Sequence, residues 1–313
     1  MNRHHVSRSI AALFTGLLVV AACTGAVGVA GPLSSPSSTD EESPSPSASP
    51  AGSPSSSLAA SGSPLASSTP ANSPSPSTSA SGASTDLTIY FFMDGKLAAV
   101  HREVPKTVAV ARAAMNQLLA GPSSSEASAG QLTTEIPDDV LLLGISIANG
   151  TATVDLSREF ESGAAAADMV ARVAQVTYTL TQFSNVDRVA LRLDGQPALD
   201  RPATRDDYRD YSPSILVDRP AWGGTLANPG RITGESNVFE AQFRVQILTA
   251  SGKVLADQQV HAACGTGCWG AFDVIVPYRV GSDQPGRLKV YNLSAKDGSV
   301  EDVRVYQVQL TAG

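Results

Sequence analysis

Long apolar runs, aromatic side chains and positive charge are all scarce in this sequence. Its one marked apolar run covers residues 10–22. A membrane-spanning helix needs about 20 apolar residues, so no segment is expected to cross a bilayer. Phe, Trp and Tyr make up only 5% of the 313 residues, which suits a long unfolded segment joined to two modest hydrophobic cores. The formal net charge of −7 argues against electrostatic binding to nucleic acid or to anionic lipid headgroups.

Residues that carry hydrolytic chemistry are also few. Between residues 23 and 313 histidine occurs only at His101 and His261, and His101 is expected on the surface of an edge strand. No Gly-x-Ser-x-Gly nucleophile elbow is present. The acidic pairs at 138–139 and 206–207 are neighbours in sequence, and such neighbours seldom face each other across a substrate. We therefore expect no catalytic residues; an envelope enzyme that acts on peptidoglycan or another glycan is the alternative.

Cys23 ends the tetrad Val20-Ala21-Ala22-Cys23, which closes the short apolar run. An apolar core of about 7–15 residues behind a basic N-terminal segment is typical of a secretory signal peptide. The tetrad resembles the lipobox of bacterial lipoproteins. This resemblance implies that residues 1–22 are removed, that Cys23 carries lipid, and that acyl chains hold the protein at the outer face of the cytoplasmic membrane. Plain secretion, with cleavage after Ala30, is the alternative.

Residues 23–84 are expected to form a disordered tether. Of the 54 residues from 31 to 84, 40 are Ser, Pro or Ala, and no apolar periodicity runs through them. Such a segment cannot bury enough apolar surface to offset the entropy that it loses on ordering. It would hold the folded part away from the membrane, within reach of the wall layer. Its Ser, Thr and Pro content also fits an O-glycosylated stalk, and an unmodified spacer is the alternative.

The first folded part repeats one pattern, in which a β-hairpin is followed by a helix. Asp-Gly and Asn-Gly turns at 94–95 and 149–150 each separate two β-rich runs, as expected of type I′ hairpins. Helical spacing follows at 108–119 and 164–183, and a polar loop is expected at 123–129. We predict an α+β domain in which two hairpin-plus-helix units share one sheet, with both helices packed against it.

A charged connector and a β-rich part complete the chain. Residues 200–213 are expected to form a solvated linker, and a calcium site built from its aspartates is the alternative. Residues 214–313 contain six or seven short runs that alternate apolar and polar residues, with turn signals between them. The clearest alternation spans 239–247, where every second residue is apolar. This pattern predicts an all-β immunoglobulin-like sandwich.

Residues 85–199 also contain an ordered set of short motifs. These motifs are Tyr90-Phe91, Asp94-Gly95, Leu97, Arg102, Leu118-Leu119-Ala120-Gly121-Pro122, Thr134-Glu135-Ile136-Pro137, Val154-Asp155-Leu156-Ser157 and Asp194-Gly195. Together they resemble the GerMN domain of bacterial sporulation and spore-germination proteins.

The β-rich part has a set of its own. Its motifs are Pro229-Gly230-Arg231-Ile232, Gly234-Glu235-Ser236-Asn237, Phe239-Glu240-Ala241, Gly252-Lys253-Val254-Leu255 and Asp297-Gly298. This set is similar to the immunoglobulin-like domain associated with spore germination, which is often found directly after a GerMN domain. The two resemblances imply a non-catalytic module at the cell surface.

Cys264 and Cys268 are the two cysteines left after Cys23. In an oxidising compartment the pair predicts a disulfide, and a zinc site that includes His261 is the alternative, although one ligand would be missing. The disulfide would fix the loop that presents Trp269, a candidate ligand contact; packing of Trp269 against the end of the sandwich is the alternative. The loop matches G-x-G-x-x-G at 265–270, but a strand follows it where a dinucleotide site requires a helix.

These observations predict a lipid-anchored envelope protein with a non-catalytic binding or scaffolding role at the cell wall. Its expected partners are the membrane, through the lipid, and the cell wall or envelope proteins. We expect no nucleic-acid partner, no metal and no cofactor. A substrate-capture lipoprotein of a transporter is disfavoured, because neither folded part resembles a two-lobed binding protein.

Overall fold

The computed structural model describes residues 83–313. The expected signal peptide, Cys23 and nearly all of the expected tether therefore lie outside the described residues. Within them, no helix combines the length and apolar character needed to cross a membrane. The first part contains β1 (Ser84–Met93), β2 (Lys96–Pro105), α1 (Val110–Leu119), α2 (Ser124–Ala129), β3 (Leu132–Thr133), β4 (Leu142–Ala148), β5 (Thr151–Leu156), α3 (Ala166–Leu180), β6 (Arg188–Leu193) and β7 (Gln196–Pro197).

Both predicted hairpins are confirmed, and their turns have the expected backbone. Asp94 and Gly95 have φ of 52° and 71°, and Asn149 and Gly150 have φ of 50° and 73°. Positive φ at both central residues defines the type I′ turn, whose twist matches that of the flanking strands. The Asn-Gly and Asp-Gly sequences therefore fix the register of β1 with β2 and of β4 with β5.

The α+β architecture is confirmed, but the single shared sheet is not. One sheet has the strand order β2-β1-β3 and the other β4-β5-β6-β7. The helices α1 and α3 pack on each other and on β1, while α1 also contacts β4 and α3 contacts β6. Every residue of α3 from 171 to 180 is buried. A helix that is buried on all sides needs cover from more than one layer, so the two hairpins separate into two sheets around the helices.

The ends of the predicted helices differ from the structure at two places. Val108 was expected on the apolar face of α1, but it precedes the helix and is fully exposed. The expected polar loop at 123–129 is largely the helix α2. Ser123 caps this helix, because its side chain accepts from the Glu126 backbone N–H while the Glu126 carboxylate accepts from the Ser123 N–H. This capping box is a known signal for a helix start, and the sequence reading missed it.

The C-terminal part is the predicted β-sandwich. Its strands are β8 (Ile215–Arg219), β9 (Thr225–Leu226), β10 (Gly230–Ser236), β11 (Gln242–Thr249), β12 (Val254–His261), β13 (Gly270–Val276), β14 (Gln284–Leu293) and β15 (Val300–Leu310). They form a three-stranded sheet, β13-β10-β8, and a five-stranded sheet, β12-β11-β14-β15-β9. Phe243, Val245 and Ile247 are buried as the alternation predicts. Phe239 and Ala241 are not part of that strand; they belong to a single turn of 3₁₀ helix before it.

The two parts pack directly on each other. Residues 97–100 of β2 are fully buried, although a hairpin on the surface of one domain would bury only one face. The predicted edge strand β2 is covered by the segment after β8, because His101 N–H donates to Trp222 O (2.9 Å) and Trp222 N–H donates to Ala99 O (2.8 Å). From β15, the buried Arg304 side chain donates to Met93 O (2.7 Å) and Leu97 O (3.2 Å).

Candidate binding cleft between the two domains

The charged connector forms one wall of a cleft and is not a solvated linker. Residues Arg205–Tyr211 form a 3₁₀ helix that packs on α3. The side chain of Arg205 is only 16% exposed. The prediction from its charge pattern was wrong at Arg205, because the partners of Arg205 come from both domains and are far away in sequence.

Arg205 lies between two aromatic rings and two carboxylates. Its guanidinium carbon is 5.3 Å from the ring centre of Tyr90 and 4.8 Å from that of Tyr178. Its Nη1 lies 3.5 Å from Asp218 Oδ2 and 3.7 Å from Glu235 Oε1. Tyr90 and Tyr178 belong to the first domain, whereas Asp218 and Glu235 are on β8 and β10. A planar guanidinium can stack and pair at once, so one side chain joins the two domains.

The pKa values of Tyr90 and Arg205 in this cluster are both shifted further above neutral pH. Burial raises the pKa of Tyr90 well above its ordinary value. Its hydroxyl donates to Asp218 and accepts from Arg205 Nη2 at 3.2 Å. For Arg205, burial lowers the pKa, while Tyr90, Asp218 and Glu235 raise it, and the net direction is upward. The cluster therefore keeps a neutral phenol beside a charged guanidinium across the physiological pH range.

Arg209 extends the cluster to the predicted contact residue Trp269. Its Nη1 pairs with Glu235, and its Nε donates to Asp206 Oδ1 at 2.9 Å. Its guanidinium carbon lies 4.8 Å from the ring centre of Trp269, which is half-buried. Arg209 therefore covers one face of Trp269.

The cleft beside this cluster has a volume of about 550 Å³. Neutral polar side chains supply much of its lining; these are Thr88, Thr181, Gln182, Thr204 and Thr233. Arg205, Arg209, Asp218 and Glu235 line it too, but they are paired with one another. At the rim, Asp187 and Arg219 are exposed, and within residues 83–313 neither forms an ion pair. The cleft can thus offer hydrogen bonds and two free charges to a ligand.

Comparison with known families and structures matches both domains. Residues 88–199 match the family model described as sporulation and spore germination, and residues 214–299 match the immunoglobulin-like domain of bacterial spore germination. The chain carries a GerMN domain followed by a spore-germination immunoglobulin-like domain.

Individual relatives cover parts of the chain. The spore germination protein GerM of Bacillus subtilis (strain 168) is 31% identical over 122 residues, which is 38% of this chain and 33% of GerM. This chain thus spans about a third of that relative. The solved first GerMN domain of B. subtilis GerM is 27% identical and covers 39% of this chain and 98% of its own, with a TM-score of 0.34. A putative lipoprotein from Clostridium perfringens is 22% identical and covers 40% and 89%, with a TM-score of 0.29.

The other candidate residues from the sequence do not come together in this cleft. In the GerMN domain, His101 Nε2 lies 3.8 Å from Asp86. Residues 138–139 are exposed in a turn. Asp206 and Asp207 bind different arginines, because Asp206 pairs with Arg209 while Asp207 pairs with Arg201. The hydrogen bond from Arg201 lowers the pKa of Asp207 to about 2.

In the immunoglobulin-like domain, a disulfide joins Cys264 and Cys268, with Cα atoms 6.0 Å apart. The described residues contain no group of three or more His, Cys, Asp or Glu side chains arranged to hold a metal ion. The glycine-rich segment at 265–270 leads into β13, a strand, so the pattern lacks the helix that a pyrophosphate site requires.

Sequence reasoning missed the charged cluster, although one signal for it was present. Arg201, Arg205 and Arg209 recur every four residues, a spacing that predicts one charged face on an α-helix. The partners Asp218 and Glu235 give no such signal, because each is a single acidic residue in a β-strand.

Proposed function

We propose that this chain is a lipid-anchored protein of the cell envelope that acts without catalysis, as a binding or scaffolding module at the cell wall. The observation that carries the proposal is the polar cleft between the GerMN and immunoglobulin-like domains. The relation of this chain to spore-germination proteins rests on the two domain matches. Binding sites commonly lie at domain interfaces, where two surfaces supply converging polar groups.

The electrostatics of the cleft favour binding over proton transfer. A general acid or base works best with a pKa near the working pH. In and beside the cleft the pKa values are shifted further from neutral pH. Burial raises the pKa of Tyr90 and of Tyr178, and, although burial lowers the pKa of Arg209, Glu235 raises it. The alternative, a glycan-cleaving envelope enzyme, would need a titratable pair in this cleft that its ion pairs do not already neutralise.

Reversing a free charge at the rim tests the binding role of the cleft. We expect Arg219→Glu to reduce recovery of cross-linked envelope partners about tenfold, because an attractive contact becomes a repulsive one. The matched control is Arg192→Glu, an exposed arginine on β6 that does not line the cleft. Both variants are produced as the full chain in bacteria, cross-linked in place and purified. Equal recovery from the wild type and Arg219→Glu would count against the cleft as the binding site.

The proposed anchor has its own test. Cys23→Ala removes the thiol that accepts the lipid, so we expect the protein to move from the membrane fraction to the soluble fraction. Each acyl methylene contributes about 0.8 kcal/mol to membrane attachment, so loss of the chains leaves no comparable hold. Cell fractionation, with mass spectrometry of the mature N-terminus, measures the outcome. A wild-type product that is soluble and begins at Gly31 would refute the anchor.

A further inference from the structure

A second pocket lies at one end of the immunoglobulin-like domain, away from the interdomain cleft. It has a volume of about 320 Å³. Phe239 and Leu293 form its walls and are 54% and 47% exposed, while the buried Phe243 lies at its base. A large aromatic side chain that is half exposed beside a concave surface is unusual for a structural residue, because the same ring would gain free energy by burial.

The turn that presents Phe239 is held in an unfavourable backbone conformation. Glu240 and Ala241, which follow it directly, have φ of 54° and 57°. Side chains other than glycine rarely adopt this left-handed region, and two in succession persist only where the surroundings impose them. Such positions concentrate at ligand-binding sites.

The disulfide loop supplies those surroundings. Thr266 N–H donates to Val238 O at 3.0 Å, and Glu240 N–H donates to Thr266 Oγ1 at 3.0 Å. A Cβ atom added to Gly265 would clash with the backbone of Val238 and Ala241, so the two segments touch at a distance that only glycine permits. The disulfide between Cys264 and Cys268 therefore braces the turn that positions Phe239.

The polar side of the pocket is rich in amides, and its one unpaired charge within residues 83–313 is the exposed carboxylate of Glu240. Gln242 and Gln259 line it, and Gln259 Nε2 donates to Gln242 Oε1 at 2.6 Å. Arg244 also lines it, but its guanidinium is taken by Asp257, with Nε donating to Oδ1 at 2.9 Å. An amide offers a donor and an acceptor together, which suits a ligand whose groups are both.

We propose that this pocket binds a neutral oligosaccharide. Sugar hydroxyls and acetamido groups both donate and accept hydrogen bonds, as Gln242 and Gln259 do. The C–H face of a sugar ring is apolar and flat, and it can stack on the exposed ring of Phe239. Asp257 neutralises Arg244, and the exposed carboxylate of Glu240 would repel an anionic ligand, so an uncharged sugar fits better than an acidic one. The proposal concerns a different site from the interdomain cleft, and purified sugars test it independently of any envelope partner.

The test is calorimetric titration of the purified full chain with chitotetraose and, separately, with cellotetraose. We expect binding with a Kd on the order of 0.1–1 mM, which is weak and typical of few contacts. Stronger binding of chitotetraose would mean that the amides of Gln242 and Gln259 recognise its acetamido groups. Equal binding of the two sugars would mean that the ring face and the hydroxyls are sufficient for recognition. Either result supports the site. We expect Phe239→Ala to weaken binding about tenfold and Phe239→Trp to retain it.

The matched control is Ile275→Ala, which trims an apolar side chain that is 59% exposed on β13, in the other sheet. It should leave the affinity unchanged. The double variant Cys264→Ser, Cys268→Ser should weaken binding severalfold while the domain stays folded, because the turn loses its brace. The proposal is overturned if neither sugar binds at about 10 mM, if Phe239→Ala binds as the wild type does, or if only peptides occupy the pocket.

Discussion

Replacing Arg205 with methionine should lower the free energy of unfolding by about 3 kcal/mol, because removal of one partner from a buried ion pair leaves the other charge uncompensated. The stranded group would be Asp218, whose side chain is 26% exposed, because Glu235 keeps its pair with Arg209. The methionine would keep part of the packing between Tyr90 and Tyr178 but could not pair with either carboxylate. The estimate lies at the lower end of the range for buried pairs because Asp218 keeps some contact with water and Glu235 keeps Arg209 as a partner.

Urea denaturation, followed by circular dichroism, measures this loss. The matched control is Arg201→Met in the same connector, where the arginine also pairs with an aspartate but its side chain is 70% exposed. Exposed pairs contribute about 0–1 kcal/mol, so the control should unfold nearly as the wild type does. Equal losses in the two variants would show that Arg205 does not join the domains.

The second large effect is expected inside the GerMN domain, at Arg102. This residue is one of the motif positions on which the resemblance to GerMN domains rests. Its two terminal nitrogens bind both oxygens of Glu126, with Nη2 to Oε2 at 2.7 Å. The two side chains are 15% and 7% exposed. Arg102→Met should therefore cost about 3–5 kcal/mol, since a carboxylate on α2 would be left buried without its partner.

The pH dependence of Arg102→Met distinguishes charge from packing. Burial raises the pKa of Glu126, but hydrogen bonds from Arg102 and from Ser123 N–H outweigh it and lower the pKa below its usual 4.5. A lowered folded pKa means that the pair stabilises the wild type above pH 4.5, and that this stability is lost as the pH falls through the folded value. Without Arg102, only Ser123 opposes the effect of burial on the pKa of Glu126. Protonation of Glu126 removes the buried charge and so reduces the destabilisation of the variant. The gap between the two proteins should narrow below pH 4.5.

A double-mutant cycle completes the test. Adding Glu126→Gln to Arg102→Met removes the stranded charge, so the double variant should be more stable near neutral pH than Arg102→Met alone. A gap that stays constant from neutral to acidic pH would show that Arg102 acts through packing on Phe91, whose ring centre lies 5.6 Å from its guanidinium carbon.

The sequence by itself determined the local structure. The Asp-Gly and Asn-Gly turns and the alternation at Phe243, Val245 and Ile247 were readable, because each depends on residues within about ten positions of one another. The GerMN motifs are each short, and their order along residues 90–195 identified the domain type. The capping box at Ser123 and Glu126 was equally local, and it was overlooked.

Only the tertiary structure decided how the elements combine. The two hairpins lie in separate sheets because residues 171–180 of α3 are buried on every side. Within the connector, Arg205 is largely buried because it meets Tyr90, Asp218 and Glu235. Tyr90 and Asp218 are separated by 128 residues. A charge pattern records how many charges a segment has, but the burial of a charge depends on partners that the chain brings together only after it has folded.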